Sequence, residues 1–250
     1  MTVGLICAIP EELTHLGDFL DTADTVTVGH AEFATGTLDG HDVVLVGAGI
    51  GKVDAALVTT LLIDRFGCRS IAFSGIAGGL DPALSVGDVV IADRIVQSDA
   101  GMIHDERLEV YQAGHVRFFN PTDELGHAMD PVLAARVRDR LADVELPVLD
   151  RAAGGQDRPP HVVYGTILTG DQYLHCESTR NRLHAQFGAA AIEMEGGAVA
   201  QVCESFGLPW LVIRALSDLA GRDAHLDFAA FGRGVAATSA TLLRRALPVL

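Results

Sequence analysis

The stretch Trp210–Asp218, WLVIRALSD, decides the fold because it has the pattern of a buried strand that ends in polar residues. Its apolar residues run continuously, whereas a strand on the surface would alternate apolar and polar residues. Arg214, Ser217 and Asp218 are therefore expected at the carboxyl end of a core strand. In an open α/β sheet, ligands bind outside the carboxyl ends of the strands. The sequence thus predicts an α/β fold with a binding site at this point.

Outward from this strand, strands and helices alternate, which favours a largely parallel sheet covered on both faces. The Asp39-Gly40 pair predicts an early hairpin, which makes the sheet mixed. The predicted strands are Val3–Ile9, Ala31–Leu38, His41–Val46, Ile71–Ser74, Asp88–Val96, His161–Leu168, Ala189–Met194 and Trp210–Leu216. The predicted helices are one that opens at Pro10, then Lys52–Phe66, Pro131–Leu141, Glu177–Phe187, Glu195–Phe206 and Phe228–Leu247. The segments 98–127 and 144–160 are predicted to be irregular.

Length and composition limit the class of protein. The 250 residues are expected to form one domain, 1–250, with 49% hydrophobic residues and a mean hydropathy of +0.29. No apolar run reaches the length of a membrane span, and the opening MTVGLICAIPEEL lacks the basic start of a signal peptide. The net charge of −15 argues against nucleic acid or an anionic membrane as a partner. Scattered cysteines, with Cys7 and Cys203 predicted to be buried thiols, favour the cytoplasm.

A glycine-rich turn is the first candidate for a nucleotide site. Gly47, Gly49 and Gly51 do not match the dinucleotide fingerprint, because the third glycine comes one residue early. They do not match a Walker A loop either, because valine follows Lys52 where Ser or Thr is required. Two interpretations stay open here: a tight turn between strand and helix, or a turn that brings the backbone close to a small ligand.

Carboxylates at the ends of three predicted strands are the strongest candidates for chemistry. Glu195 could accept hydrogen bonds from two neighbouring sugar hydroxyls, or it could simply favour the start of a helix. Whichever of Glu11 and Glu12 faces the cleft could act as a base for water. Asp218 could be an N-cap or a general acid. We expect these side chains to lie close together, because the three strands end at one edge.

Several other classes of site are disfavoured. The ten histidines show no metal-binding spacing, and neither HExxH nor CxxC occurs, so we expect no metal and no other cofactor. The chain has no G-x-S-x-G nucleophile elbow, which disfavours a serine hydrolase.

Six motifs along the whole chain carry a resemblance to a known family. They are GLICAIPEEL at 4–13, GAGIGKVDAAL at 47–57, SGIAGGLDPALSVGDVVIAD at 74–93, LTGDQYL at 168–174, AIEMEGGAVAQVC at 191–203 and VIRALSDLA at 212–220. Together they resemble the 5′-methylthioadenosine/S-adenosylhomocysteine nucleosidases of the nucleoside phosphorylase superfamily. The resemblance implies a three-layer α/β/α sandwich with a central mixed sheet, usually a homodimer without a cofactor. It also implies hydrolysis of the N-glycosidic bond of 5′-thio-substituted adenine nucleosides, and of 5′-deoxyadenosine as a further substrate, in methionine salvage.

The resemblance further implies roles for the polar residues. Asp218 resembles the acid that protonates N7 of the purine, and Glu12 resembles the base that activates water. Glu195 resembles the ligand of the ribose hydroxyls, with Met194 against the sugar. Arg214 matches the arginine that helps to hold the water.

The rest of the implied binding site is largely apolar. It comprises Ile9, Ile50 and Phe228 around the 5′ group, Tyr173 stacked on adenine, Leu174 at the purine edge, and Ser217 beside Asp218. Two positions depart from the family pattern. Ile76 stands where many bacterial members carry a serine, with Ser74 two residues earlier, and Tyr173 stands where phenylalanine is common.

Water is predicted to be the nucleophile. A phosphorylase must neutralise a phosphate dianion, usually with arginines in the loop after the first strand. That loop carries Glu11 and Glu12, and no arginine lies in Cys7–Phe19. The alternatives are a futalosine hydrolase, an AMP nucleosidase, a purine nucleoside phosphorylase and, from a different class, a non-catalytic purine-binding module.

The irregular segment 98–127 predicts a homodimer interface that borders the active site. It combines little predicted secondary structure with the apolar and aromatic residues Met102, Ile103, Tyr111, Phe118 and Phe119. Exposed patches of this kind commonly mark an interface.

Overall fold

The computed structural model describes residues 1–221 and 224–250, and its strands and helices alternate along the chain. The helices are α1 (Pro10–Gly17), α2 (Lys52–Asp64), α3 (Pro131–Leu141), α4 (Glu177–Phe187), α5 (Gly196–Ser205) and α6 (Ala224–Ala246). The strands are β1 (Val3–Cys7), β2 (Leu20–Val28), β3 (Ala31–Leu38), β4 (His41–Gly47), β5 (Ser70–Gly79), β6 (Val89–Gln97), β7 (Gly101–His104), β8 (Arg107–Val110), β9 (His127–Ala128), β10 (Val162–Thr169), β11 (Ala191–Glu193) and β12 (Trp210–Asp218). Single 3-10 turns occur at Arg151–Ala153 and Leu247–Val249.

Ten of these strands form one mixed sheet. Its order is β11-β10-β6-β12-β5-β1-β4-β3-β2, and β9 pairs with β6. The central strand β12 is parallel to β5 and antiparallel to β6. Because β11 pairs with both β10 and β5, one end of the sheet curls back on itself. The predicted α/β fold with a mixed central sheet is confirmed.

Helices cover the sheet in two groups. Helices α1 and α3 both pack against α6, α2 packs against α5, and both groups contact the strands, which gives three layers. Strands β1 and β12 are buried along their whole length, as their continuous apolar sequences require. Cys7 and Cys203 are buried free thiols, as predicted. Within the described residues, no helix combines the length and apolar character needed to cross a membrane.

The structure corrects several predicted bounds. Strand β12 continues to Asp218 instead of ending at Leu216, so Arg214 lies inside the sheet and not at its edge. Strand β5 continues through the glycines of 74–79 instead of ending at Ser74, because it stays paired with β12 up to Gly78. Strand β11 is only three residues long, and the last helix begins at Ala224.

Two regions contain strands that the sequence did not predict. Strand β2 pairs antiparallel with β3 at the edge of the sheet, and its mixture of threonine and aspartate hides the usual alternation. The segment 98–127 contains the antiparallel hairpin of β7 and β8, which forms a separate two-stranded sheet, and strand β9. Both are largely exposed, so a core-facing pattern is weak there.

Candidate active site

A cavity of about 270 Å³ lies where β1, β5, β11 and β12 end. The predicted site residues that line it are Ile9, Glu12, Ile50, Tyr173, Leu174, Met194, Glu195, Ser217, Asp218 and Phe228. Arg214 is the one predicted site residue outside this lining, and its side chain is fully buried behind it. The carboxyl edge of the sheet therefore brings together residues from widely separated parts of the chain.

A bulge at the end of β12 aims two polar side chains into the cavity. Leu216 pairs with Ala77 and Asp218 pairs with the next residue, Gly78, so Ser217 is the extra residue. Bulges of this kind re-aim side chains beside functional sites. Asp218 lies in the strand, six positions before α6 begins, so the N-cap interpretation of this residue is wrong.

Asp218 is held by its own neighbours in the chain. Its Oδ1 accepts a hydrogen bond from the backbone N–H of Ala220 at 2.8 Å, and its Oδ2 accepts one from the hydroxyl of Ser217 at 2.8 Å. The Ser217 hydroxyl also lies 3.4 Å from the carbonyl oxygen of Ala77, and it can donate its one proton to either acceptor. The side chains of Ser217 and Asp218 are both buried.

Glu12 is the acid of α1 that faces the cavity. Pro10 opens the helix, which leaves Glu11 exposed and Glu12 buried within the first turn. Glu12 Oε2 accepts hydrogen bonds from the N–H groups of Ala8 at 2.7 Å and Ile9 at 3.3 Å. Its Oε1 accepts one from the N–H of Ile76 at 2.9 Å. Burial raises the pKa of Glu12, although Arg214 and these three N–H groups oppose the shift.

Arg214 lies below the cavity, between an aromatic ring and a group of carboxylates. Its guanidinium carbon is 3.8 Å from the ring centroid of Phe73, within the range of a cation–π interaction. Its Nη2 donates to Glu193 Oε2 and lies 3.4 Å from Glu195 Oε2. Gly75 permits this arrangement, because a Cβ atom there would collide with Arg214 Nη1 and Glu12 Oε1.

The charges around Arg214 are unbalanced. Burial lowers the pKa of the guanidinium, but Glu193, Glu195 and Glu12 outweigh burial and raise it, so the group stays charged. Three buried carboxylates therefore share one buried cation. Burial and then the negative charge of Glu193 raise the pKa of Glu195 to about 7, against the effects of Arg214 and the Gly51 N–H.

The glycine turn before α2 serves the carboxylate group. Gly49 and Gly51 have φ angles of 92° and 99°, which favour glycine. The N–H of Gly51, at the start of α2, donates to Glu195 Oε1 at 2.8 Å. The turn is therefore tight, and it also brings the backbone to the site through this hydrogen bond and through Ile50 in the cavity wall.

Glu193 is a site residue that the sequence analysis missed. Its Oε2 accepts hydrogen bonds from the N–H groups of Glu195 and Gly196 at the start of α5, at 3.1 and 2.7 Å, and from Arg214. Its Oε1 accepts one from the Thr169 hydroxyl. The signal was present, because two acids that are two residues apart at the end of a strand project to the same face.

The mouth of the cavity is apolar and exposed. Ile50, Tyr173 and Phe228 are 61%, 50% and 38% exposed, and the rings of Tyr173 and Phe228 meet edge-on with centroids 6.5 Å apart. None of the described lining residues carries a positive charge. The mouth therefore suits a neutral, apolar substituent better than an anionic one.

Ile76 stands where the family pattern has a serine, and its contacts differ from those of the nearby Ser74. Ile76 lines the cavity and contributes its N–H to Glu12. The Ser74 hydroxyl donates instead to the Ser239 hydroxyl on α6 at 3.0 Å, inside the protein. Ser74 therefore does not replace the missing hydroxyl at the site.

Metal ligands do not cluster in the part of the chain that the structure describes, where no group of three or more His, Cys, Asp or Glu side chains could hold an ion. The charged side chains that line the cavity are carboxylates, and most of the other lining residues are apolar.

Sequence comparisons place these features in a wider group. The family model described as "Phosphorylase superfamily" matches residues 2–248. A 5′-methylthioadenosine/S-adenosylhomocysteine nucleosidase of Mycobacterium bovis is 59% identical over 250 residues, which is 100% of this chain and 98% of that protein.

Two solved structures are similar over nearly the whole chain. A 5′-methylthioadenosine/S-adenosylhomocysteine nucleosidase of Colwellia psychrerythraea in complex with adenine has a TM-score of 0.84 and 33% identity, covering 100% of this chain and 96% of that one. Futalosine hydrolase of Helicobacter pylori has a TM-score of 0.83 and 28% identity, covering 100% and 98%.

Proposed function

This chain belongs to the phosphorylase superfamily, and on that premise we propose that it is an N-glycosyl hydrolase of 5′-thio-substituted adenine nucleosides. Its substrates are 5′-methylthioadenosine and S-adenosylhomocysteine, with 5′-deoxyadenosine as a further candidate, and its products are adenine and the 5′-substituted ribose. The observation that carries the proposal is that Glu12, Glu195 and Asp218 line one cavity whose mouth is apolar. The high identity to a nucleosidase favours this activity over the futalosine hydrolase alternative.

The purine leaves with the help of Asp218. The C1′–N9 bond breaks and its electron pair stays on N9 of the base. Asp218 donates a proton to N7 so that adenine does not leave as an anion. The ribosyl group develops oxocarbenium character, as in other glycoside cleavages. Ser217 supports both states of the acid, because its hydroxyl can donate to the charged carboxylate or turn to the carbonyl of Ala77.

Water attacks C1′ with the help of Glu12. A carboxylate offers about four lone-pair positions, and three are taken by backbone N–H groups. The remaining position belongs to Oε1, which accepts only the N–H of Ile76 among these three. Glu12 accepts a water proton there, while the water oxygen bonds to C1′. Arg214 acts from behind the cavity, where it favours the charged forms of these acids against the effect of burial and holds Glu193 by an ion pair.

The sugar and base are held by the remaining lining residues. Glu195 accepts hydrogen bonds from the ribose hydroxyls, with Met194 against the ring. Tyr173 stacks on adenine and the Leu174 backbone meets its edge. The apolar residues Ile9, Ile50 and Phe228 surround the 5′ substituent, which favours a thioether over a phosphate.

Phosphate is disfavoured as the nucleophile. A dianion at C1′ would lie beside the carboxylates of Glu12 and Glu195, with only the shared cation of Arg214 to oppose them. At an effective dielectric constant of about 20, each such repulsion at contact distance costs several kcal/mol. Water avoids this cost and requires the base that Glu12 provides.

The homodimer, the cytoplasmic location and the role in methionine salvage belong to the same proposal. Exposed apolar side chains in 98–127, such as Ile103 and Phe118, supply the expected interface. Ile103 lines a second cavity that shares Tyr173 with the first, so the interface would border the active site. Sedimentation equilibrium with parallel activity assays checks this, and a fully active monomer at micromolar concentration would contradict it.

Adenine release tests the function directly. The purified protein is incubated with 5′-methylthioadenosine, S-adenosylhomocysteine, 5′-deoxyadenosine, futalosine and AMP, and the free base is separated by chromatography. We expect adenine from the first two substrates and no turnover of futalosine or AMP. Turnover of futalosine alone would overturn the proposal. Binding without turnover of any substrate would favour the alternative that the protein is a non-catalytic purine-binding module.

A further inference from the structure

Lys52, the only lysine in the chain, lies at the first residue of α2 beside the cavity. Its Nζ donates to Asp99 Oδ1 at 2.7 Å and lies 3.8 Å from Asp171 Oδ2. Its backbone N–H donates to Asp171 Oδ1 at 2.9 Å. We refer to Lys52, Asp99 and Asp171 as the Lys52 cluster.

The Lys52 cluster is closed by backbone contacts. The N–H of Asp171 donates to Asp99 Oδ2 at 2.9 Å, so the carboxylate of Asp99 binds both the side chain of Lys52 and the backbone of Asp171. Gly51 permits the close approach, because a Cβ there would lie 3.0 Å from Asp171 Oδ1. The cluster ties together three segments: the turn before α2, the residues after β6, and the loop after β10.

The three segments include two walls of the cavity. Asp171 directly precedes Gln172, Tyr173 and Leu174, which line the purine side. Lys52 directly follows Gly51, whose N–H holds the carboxylate of Glu195 on the sugar side. Two successive N–H groups at the start of α2 thus bind two carboxylates, one for each wall. The cluster therefore connects the loop of the purine wall to the turn that binds Glu195.

The side chains of Lys52 and Asp99 are only 20% and 19% exposed, so solvent screens their ion pair less than an open surface pair. The ion pair of Arg244 and Asp39 offers a comparison. It is also well formed, at 2.8 Å, but it is 25% and 42% exposed and involves no residue that lines the cavity.

We propose that Lys52 is a positioning residue for the reaction: through Asp99 and Asp171 it fixes the loop Gln172–Leu174 relative to Glu195. The kinetic part of this inference rests on the proposed nucleosidase function. Lys52 does not line the cavity, so it acts through the groups that it holds. Because the loop contacts the purine before and during the reaction, its displacement weakens ground-state and transition-state binding alike.

The central experiment compares Lys52→Met, Lys52→Arg and the control Arg244→Met. Methionine keeps an unbranched apolar side chain and removes the charge, whereas arginine restores the charge. For each variant, kcat and KM for 5′-methylthioadenosine are measured, together with the adenine Kd by calorimetry and the thermal unfolding midpoint. Asp99→Asn, which removes the ion pair and keeps a side-chain oxygen for the Asp171 N–H, serves as a second variant if Lys52→Met folds poorly.

We expect Lys52→Met to raise KM and the adenine Kd about tenfold, as for a loop displacement of well under about 1 Å, with kcat changed less than about threefold. Lys52→Arg should return both constants to within about threefold of the wild type, and Arg244→Met should leave them unchanged. A Lys52→Met variant with a lower unfolding midpoint but wild-type KM and Kd would overturn the inference. Failure of Lys52→Arg to restore the constants would overturn it as well.

A readout that needs no substrate separates this inference from the proposed function. Hydrogen exchange of the backbone amides of 170–174 should be faster in Lys52→Met than in the wild type, and unchanged in Arg244→Met. If the wild type released no adenine but bound it, the proposed function would fail while the Kd and exchange comparisons still tested the cluster. Unchanged exchange in Lys52→Met would overturn the positioning role whatever the activity.

Discussion

The proposed purine end and the proposed sugar end of the cavity are built in opposite ways. At the purine end, Asp218 accepts hydrogen bonds from Ser217 and Ala220, within two residues in sequence. At the sugar end, residues 12, 193, 195 and 214 come from four elements and meet in a buried group of three acids and one guanidinium. The purine end therefore includes contacts that are local in the sequence, whereas the sugar end depends on a balance of charge across the fold.

The largest expected effect tests the purine end. Asp218→Asn should lower the rate of adenine release by up to about 10⁴-fold, because an amide cannot transfer a proton to N7 and adenine leaves poorly as an anion. Single-turnover measurements with 5′-methylthioadenosine check the rate, and circular dichroism checks that the fold is intact. Near-normal turnover by a folded variant would remove Asp218 from the mechanism.

The next effect tests the base at the sugar end. Glu12→Gln should lower kcat by about 10²- to 10³-fold while substrate analogues still bind, because the amide cannot accept the water proton. Glu11→Gln is the matched control on the same helical turn, and it should stay within about threefold because Glu11 is exposed. If the two effects came out reversed, the assignment of the cavity-facing acid would be wrong.

A smaller effect tests the charge balance itself through stability. The raised pKa of Glu195, about 7 against 4.5, means that the folded state binds more protons in that interval. The free energy of unfolding therefore falls as pH rises from about 4.5 to about 7, by an amount on the order of 3 kcal/mol from this group. Glu195→Gln should lack this loss of stability. Urea unfolding should therefore show that the free energy of unfolding of the variant, relative to that of the wild type, is higher at pH 8 than at pH 5. An equal difference in free energy of unfolding between the two proteins at both pH values would contradict the raised pKa of Glu195.

The smallest expected effect is none at all. Inorganic phosphate should not accelerate adenine release, because the sugar end already holds more acids than cations. Phosphorus NMR of the reaction in phosphate buffer should show no sugar 1-phosphate, with a known purine nucleoside phosphorylase as the positive control. Stoichiometric sugar 1-phosphate would make the enzyme a phosphorylase and would require an anion site not yet identified.

The same contrast explains what could be predicted from the sequence. The buried strand, the mixed sheet and the position of Asp218 follow from local patterns, such as the apolar run of 210–218. The location of Arg214 below the cavity, in contact with Glu193, does not, because it depends on which strands become neighbours. The choice between Glu11 and Glu12 depends on the rotation of α1 against the sheet, which adjacent positions in a sequence cannot specify.

The exposed strands show a different limit. Edge strand β2 and the hairpin of β7 and β8 bury few side chains, so the alternation that reveals a core strand is weak there. The glycines of 74–79 come after the predicted end of the strand at Ser74, but the strand continues through them. They lie inside β5 because neighbouring groups approach too closely for a side chain, not because the chain turns.

The position of β12 has a consequence for synthesis of the protein. This strand lies between β5 and β6, yet it follows both of them by more than a hundred residues. On the ribosome, the edges of β5 and β6 that pair with β12 therefore stay unpaired until residues 210–218 emerge. Long-range strand pairing is slow, and chains with unpaired strand edges are prone to aggregate. Asp218 lies on the same strand, so the acid that we propose to protonate the purine is synthesised with the segment that completes the sheet.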